Sequence, residues 1–215
     1  MRRILLAISL TLLAVLLVPS PSKADNFSFT GSLATGDQVQ LFNFTVGAVS
    51  NVTLVTYSYA GGTNAAGTVI PRGGFDPILA VFDSTGAIVG QNDDGGILVP
   101  ADPITGAHFD TFLNLTTLAA GTYSVAVMQY DNFANGPNFS NGFFESGNPL
   151  FAESFGRCGT DEFVDVTGSC RTGNWAFDIL GVNGATVVGT PEPATLALLG
   201  SGLIVASLRR RKRST

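Results

Sequence analysis

From Asp25 to Thr190 the apolar and polar positions alternate with the period of a strand rather than of a helix. Phe42, Phe44 and Val46 fall on one face of a run, Tyr123, Val125 and Val127 on one face of a second, and Trp175, Phe177 and Ile179 on one face of a third. Strand-like runs are read at 26–33, 38–46, 49–59, 78–83, 86–91, 109–115, 121–130, 174–180 and 186–188, separated by Gly, Asn, Asp and Pro. About nine short strands with frequent turn signals predict an all-β fold, an antiparallel β-sandwich of jelly-roll or Greek-key type. Residues 61–74 are Gly-rich and read as a long loop, and 132–169 as an extended excursion rich in Gly, Asn and Phe. Phe133, Phe139, Phe143, Phe144, Phe151 and Phe155 of that excursion either form an exposed contact surface or cover an open face of the sandwich.

The two ends break the alternation. Met1-Arg2-Arg3 precedes an apolar run from Ile4 to Val18, and small residues at Ser22 and Ala24 follow a Pro/Ser break. That order predicts a helical secretory signal over 1–24 with cleavage after Ala24. At the other end Pro191-Glu192-Pro193 precedes an apolar run, Ala194 to Leu208, and then Arg209-Arg210-Arg211-Lys212-Arg213. As a helix this run reaches ~22 Å, short of a ~30 Å hydrocarbon core, so it is expected to insert as a short, marginal transmembrane helix. The basic tail stays on the cytoplasmic side and leaves the body outside. The organisation expected is a signal at 1–24, a sandwich domain at 25–189 and a sorting segment at 190–215.

Pro191, Glu192 and Pro193, the short apolar run and the terminal basic cluster together resemble a PEP-CTERM sorting domain. The resemblance covers about the last 25 residues. It implies exosortase as partner, an inner-membrane enzyme of Gram-negative bacteria that make extracellular polysaccharide. It further implies cleavage near Pro191-Glu192-Pro193 and release to the cell surface or matrix. The body, through Phe75-Asp76-Pro77-Ile78-Leu79-Ala80-Val81-Phe82-Asp83, Gln91-Asn92-Asp93-Asp94-Gly95 and Leu118-Ala119-Ala120-Gly121-Thr122-Tyr123, resembles the bacterial pre-peptidase C-terminal type of β-sandwich. That resemblance implies a non-catalytic accessory module serving secretion, attachment or matrix binding.

Charge sharpens the picture. Only Arg72, Arg157 and Arg171 among the basic residues lie within 25–190, against fifteen Asp and Glu, a formal charge of −12. Such a body repels phosphate backbones, which excludes nucleic acid as a partner. It attracts cations. If 78–83 and 86–91 form a hairpin about Ser84-Thr85, Asp76 stands opposite Asp93, with Asp94 beside it. Like charges face to face are unfavourable unless compensated, and calcium with an oxygen shell from Asp76, Asp93 and Asp94 is one reading. Solvated turn carboxylates are the other. Asp110 is expected on a solvent-facing strand position, and Asp131-Asn132 in an Asx-type turn.

Cys158 and Cys170 are the only cysteines and are expected to pair in an oxidising compartment. The sole histidine, His108, has no nucleophile motif such as G-x-S-x-G to serve, so no enzyme is expected. Two functions remain open. One is a structural component of the envelope or polysaccharide matrix, associated with biofilm. The other is a calcium-assisted carbohydrate-binding module, in which Trp175 stacks on a sugar or belongs to the core. A secreted hydrolase is a distant third.

Overall fold

Phe42, Phe44 and Val46 are buried and Asn43 and Thr45 exposed, so the alternation read from the sequence is realised in strand β2 (Gln40–Val46). The computed structural model describes residues 23–159 and 163–188. The expected signal helix, sorting helix and basic tail lie outside the described residues. Among the described residues no helix is long and apolar enough to cross a membrane.

The remaining strands are β1 (Asp25–Ser32), β3 (Ser50–Thr56), β4 (Gly62–Thr63), β5 (Val69–Ile70), β6 (Pro77–Phe82), β7 (Ile88–Asn92), β8 (Phe112–Leu118), β9 (Gly121–Gln129), β10 (Asn174–Val182) and β11 (Gly184–Val187). Nine of the eleven strands form two antiparallel sheets, in the orders β1-β10-β3-β8 and β11-β2-β9-β6-β7, with β4 and β5 as a separate small hairpin. The fold is an all-β sandwich. Its inner faces meet in one core in which Phe42, Phe44, Tyr123, Val125, Val127, Trp175, Phe177 and Ile179 converge. Phe42 packs edge-on against Phe177 and Trp175, with ring centroids 4.6 and 5.4 Å apart, a geometry aromatic quadrupoles favour. Gly31 lies across from Trp175, and any side chain there would overlap the indole.

All of β6 is buried, because a second apolar layer covers the outer face of its sheet. Ile78, Ala80, Phe82, Ala126 and Met128 form that face, with Phe133 and Phe143 packed on it. The excursion therefore acts mainly as a cover. Phe139 lies edge-on to Phe82, and Phe151 joins Ala152 and Val164 in a small separate core that Phe155 and Cys158 flank. Phe144 alone of the six is strongly exposed. The Cys158–Cys170 disulfide is formed, with Cα atoms 5.5 Å apart.

Three local expectations are corrected. The β6–β7 hairpin does not turn on Ser84-Thr85; β7 begins at Ile88, and Leu79 pairs with Asn92 and Ala80 with Gln91. That register is two residues from the expected one, so Asp76 and Asp93 are not cross-strand partners. The longer loop is set by Asp83, whose Oδ1 accepts the N–H groups of Thr85 and Ala87, and by Gly86 at φ +85°. Strand β8 starts at Phe112 rather than Phe109, because Asp110 and Thr111 are diverted into buried hydrogen bonds. Residues 61–74 carry the β4–β5 hairpin, closed by Asn64, whose Oδ1 accepts the Thr68 N–H.

Candidate functional site at the loop-rich end

Strand order places every short connection (47–49, 83–87, 119–120 and 183) at one end of the sandwich. The long ones (33–39, 57–76, 93–111 and 130–173) gather at the other. Long loops carry unpaired backbone groups that cannot be buried freely. Here buried aspartates satisfy them.

Asp110, expected at the surface, is fully buried. Its carboxylate accepts the Thr56 hydroxyl and the Tyr59 N–H on Oδ1 and the Ala60 N–H on Oδ2, fixing the exit from β3. Burial pushes its pKa up against those bonds. Asp102 Oδ1 accepts the Ile104 and Thr105 N–H groups, while Oδ2 takes Arg72 at 2.8 Å and Arg171 at 3.2 Å. Burial opposes ionisation of Asp102, but these donors outweigh it and hold the carboxyl well below the usual carboxylate range. Asp165 accepts Arg171 Nε and the Tyr59 hydroxyl, both at 2.8 Å, and its pKa is likewise held down despite burial. The Arg171 guanidinium lies 3.6 Å from the centre of the Tyr59 ring. One buried arginine thus ties three of the four long loops together. Sequence reasoning missed this network, since its members are spread from Tyr59 to Arg171.

The expected acidic trio is in the same region. Asp76 is buried at the start of β6, and its Oδ1 has no hydrogen-bond partner. Its pKa is raised well above the ordinary value, first by burial and then by the charges of Asp94 and Asp93. Burial and then the Asp93 charge raise Asp94 as well. Gln129, at the end of β9 and 1% exposed, has neither amide atom paired. Asn92 and Thr111 brace the turn: Asn92 Nδ2 donates to the Asp94 and Phe112 carbonyls, and Thr111 Oγ1 donates to those of Asp93 and Pro77. Among the described residues, no group of three or more His, Cys, Asp or Glu stands ready to hold a metal ion. The carboxylates of Asp76, Asp93 and Asp94 feel one another's charge but are not assembled as a ready ligand set.

Other expected residues are placed differently. Asn132 is buried and makes no local Asx turn; it accepts the Glu145 N–H and donates to the Asp37 carbonyl, stapling the excursion. His108 Nδ1 lies 2.8 Å from the Val99 carbonyl. Trp175 is core, 6% exposed, so its ring offers no stacking face to a sugar. A cleft of about 280 Å³ adjoins it, between β1, β10 and the β4–β5 hairpin, with Ser58, Arg72 and Asn174 in its wall. On the outer face of β10, Asp178 is buried and accepts the Tyr57 hydroxyl and the Ala65 N–H, docking that hairpin.

Residues 190–212 match the family described as the PEP-CTERM protein-sorting motif. No curated protein matches the chain. Among solved structures it is similar to the pre-peptidase C-terminal domain of collagenase from Bacillus anthracis, at 13% identity and a TM-score of 0.33, over 75% of this chain and 89% of that one. The motif marks the chain for exosortase-dependent export to the cell surface, and the disulfide fits a compartment outside the cytoplasm.

Proposed function

We propose that this chain, carrying a PEP-CTERM sorting motif, delivers a non-catalytic β-sandwich to the outside of the cell, where exosortase releases it to serve in the surface layer or polysaccharide matrix. The motif at 190–212 carries this reading. The non-catalytic part is supported by how the polar side chains are used. Asp102, Asp110 and Asp165 spend their oxygens on loop N–H groups, hydroxyls and arginines, and His108 contacts a backbone carbonyl. Fractionation of cells expressing Glu192→Ala tests the sorting step. The variant is expected to stay in the inner-membrane fraction while the parent chain reaches the surface or medium. Equal release of both would contradict it.

A calcium-assisted carbohydrate-binding module is the second reading, and one observation favours it: the buried, unpartnered Oδ1 of Asp76 within the field of Asp94 and Asp93. Calcium takes six to eight oxygen ligands and tolerates irregular geometry. Asp76, Asp93 and Asp94 supply carboxylates, and water with backbone or amide oxygens completes the shell. The cation would relieve the mutual repulsion of these groups and lock the 93–111 loop that presents the ligand surface. Calcium at about one hundred times its Kd then adds about 2.7 kcal/mol of stability. A melting temperature that ignores calcium removes this reading.

A further inference from the structure

We infer that, before release, the sandwich stands on the membrane with its loop-rich end down, its exposed aliphatic loop tips touching a zwitterionic lipid surface. This rests on the reading that the sorting segment inserts in the membrane.

The first observation is where the chain leaves the fold. β11 pairs antiparallel with β2 and runs toward the loop-rich end, Gly184 facing Thr45 and Val187 facing Phe42. The Val188 N–H still bonds the Leu41 carbonyl. The matched motif begins at residue 190, and Pro191 is three residues beyond Val188. The apolar run begins three residues further on, at Ala194, so the tether from Val188 has six residues and reaches at most about 20 Å. The end of the sandwich that carries the four long loops is therefore held close to the bilayer. β1 starts at the opposite end, where Asp25 pairs with Val182.

The second observation is independent of the first. Ile97, Leu98 and Ile104, all on the 93–111 loop, are 94%, 64% and 76% exposed. Single exposed aliphatics are ordinary on protein surfaces. These three share the 93–111 loop, which the half-buried Arg72–Asp102 ion pair ties to 57–76. Their backbones are also held. The Ile104 N–H bonds Asp102, and the Leu98 loop is closed by the Gly95 N–H on the Asp110 carbonyl and by His108 on the Val99 carbonyl. The tips cannot fold back to bury themselves. A short tether raises the local concentration of the bilayer, so a contact too weak to bind a free protein is populated. Asp93 and Asp94 lie on the same loop, and the body is acidic throughout, so anionic headgroups would repel it and a zwitterionic surface would not. Once the tether is cut that local concentration is lost, and the same loops are freed.

Tryptophan depth-quenching in the chain carrying its sorting segment, reconstituted in phosphatidylcholine vesicles with brominated acyl chains, reads this directly. Native Trp175 is buried and gives a constant background. Ile97→Trp places a reporter on the loop-rich end, and Val49→Trp places one on an exposed position of the short-turn end. The expected result is a loss of emission and a blue shift for Ile97→Trp, with Val49→Trp unchanged. Vesicle-bound protein in which both reporters are unquenched, or quenched alike, overturns the orientation while leaving the insertion reading intact. Protein that floats free of the vesicles overturns both.

Discussion

Asp76 concentrates the chemical tension of the molecule. Its charged form is disfavoured in the fold by burial and by Asp94 and Asp93, so its folded pKa lies above the unfolded one. The stability associated with that shift is present below the unfolded value of about 3.9 and is lost as pH rises through the folded pKa. Asp102 and Asp165 behave in the opposite sense: their depressed pKa values give stability above about pH 3.9 that is lost as pH falls through their folded values. Without calcium, Asp76→Asn is therefore expected to stabilise the protein at pH 7, by about 1–3 kcal/mol, by removing an uncompensated buried carboxylate. In urea unfolding with excess calcium the order reverses, because only the parent chain gains from the ion. A variant no more stable than its parent in chelator would show that Asp76 is not the strained group. The trio of Asp76, Asp93 and Asp94 was brought together in the sequence only through a hairpin register that the structure shifts by two residues. The burial of Asp110 was not legible, because a buried aspartate that caps loop N–H groups has the same sequence signature as a solvent-facing one.

A strand such as β2, buried on one face only, was readable because that burial imposes period two. The β6–β7 register was misread by two residues, since Asp83 and Gly86 build a five-residue loop where a two-residue turn was assumed. A shift of two preserves which side chains face the core, so the pattern could not report it. The excursion was legible only as a departure from alternation. Its Phe133 and Phe143 bury the outer face of a sheet whose strands are otherwise apolar on both sides. The Cys158–Cys170 bridge anchors the last part of that excursion beside β10. Loop closure of this order is worth roughly 3 kcal/mol in the chain-entropy model. Cys158→Ser with Cys170→Ser should lower stability by about that amount in denaturant titration, while the β-sheet circular dichroism is kept below the transition. Loss of the sheet signal without denaturant would instead make the bridge a condition of folding.

At the scale of the whole molecule, the acidic sandwich, its disulfide and the motif at 190–212 describe a protein whose work begins after export. The C-terminal sorting motif was the most legible part of the sequence, because hydropathy and charge order specify it without tertiary contacts. The loop-rich end was the least legible, since Tyr59, Asp102, Asp165 and Arg171 meet only through the fold. Intact-mass spectrometry of the protein recovered from the cell surface or medium tests the account most directly. The predicted species begins at Asp25, contains an oxidised Cys158–Cys170 pair and ends near Pro191. A mature mass that still includes Leu196 through Thr215 would contradict release by exosortase.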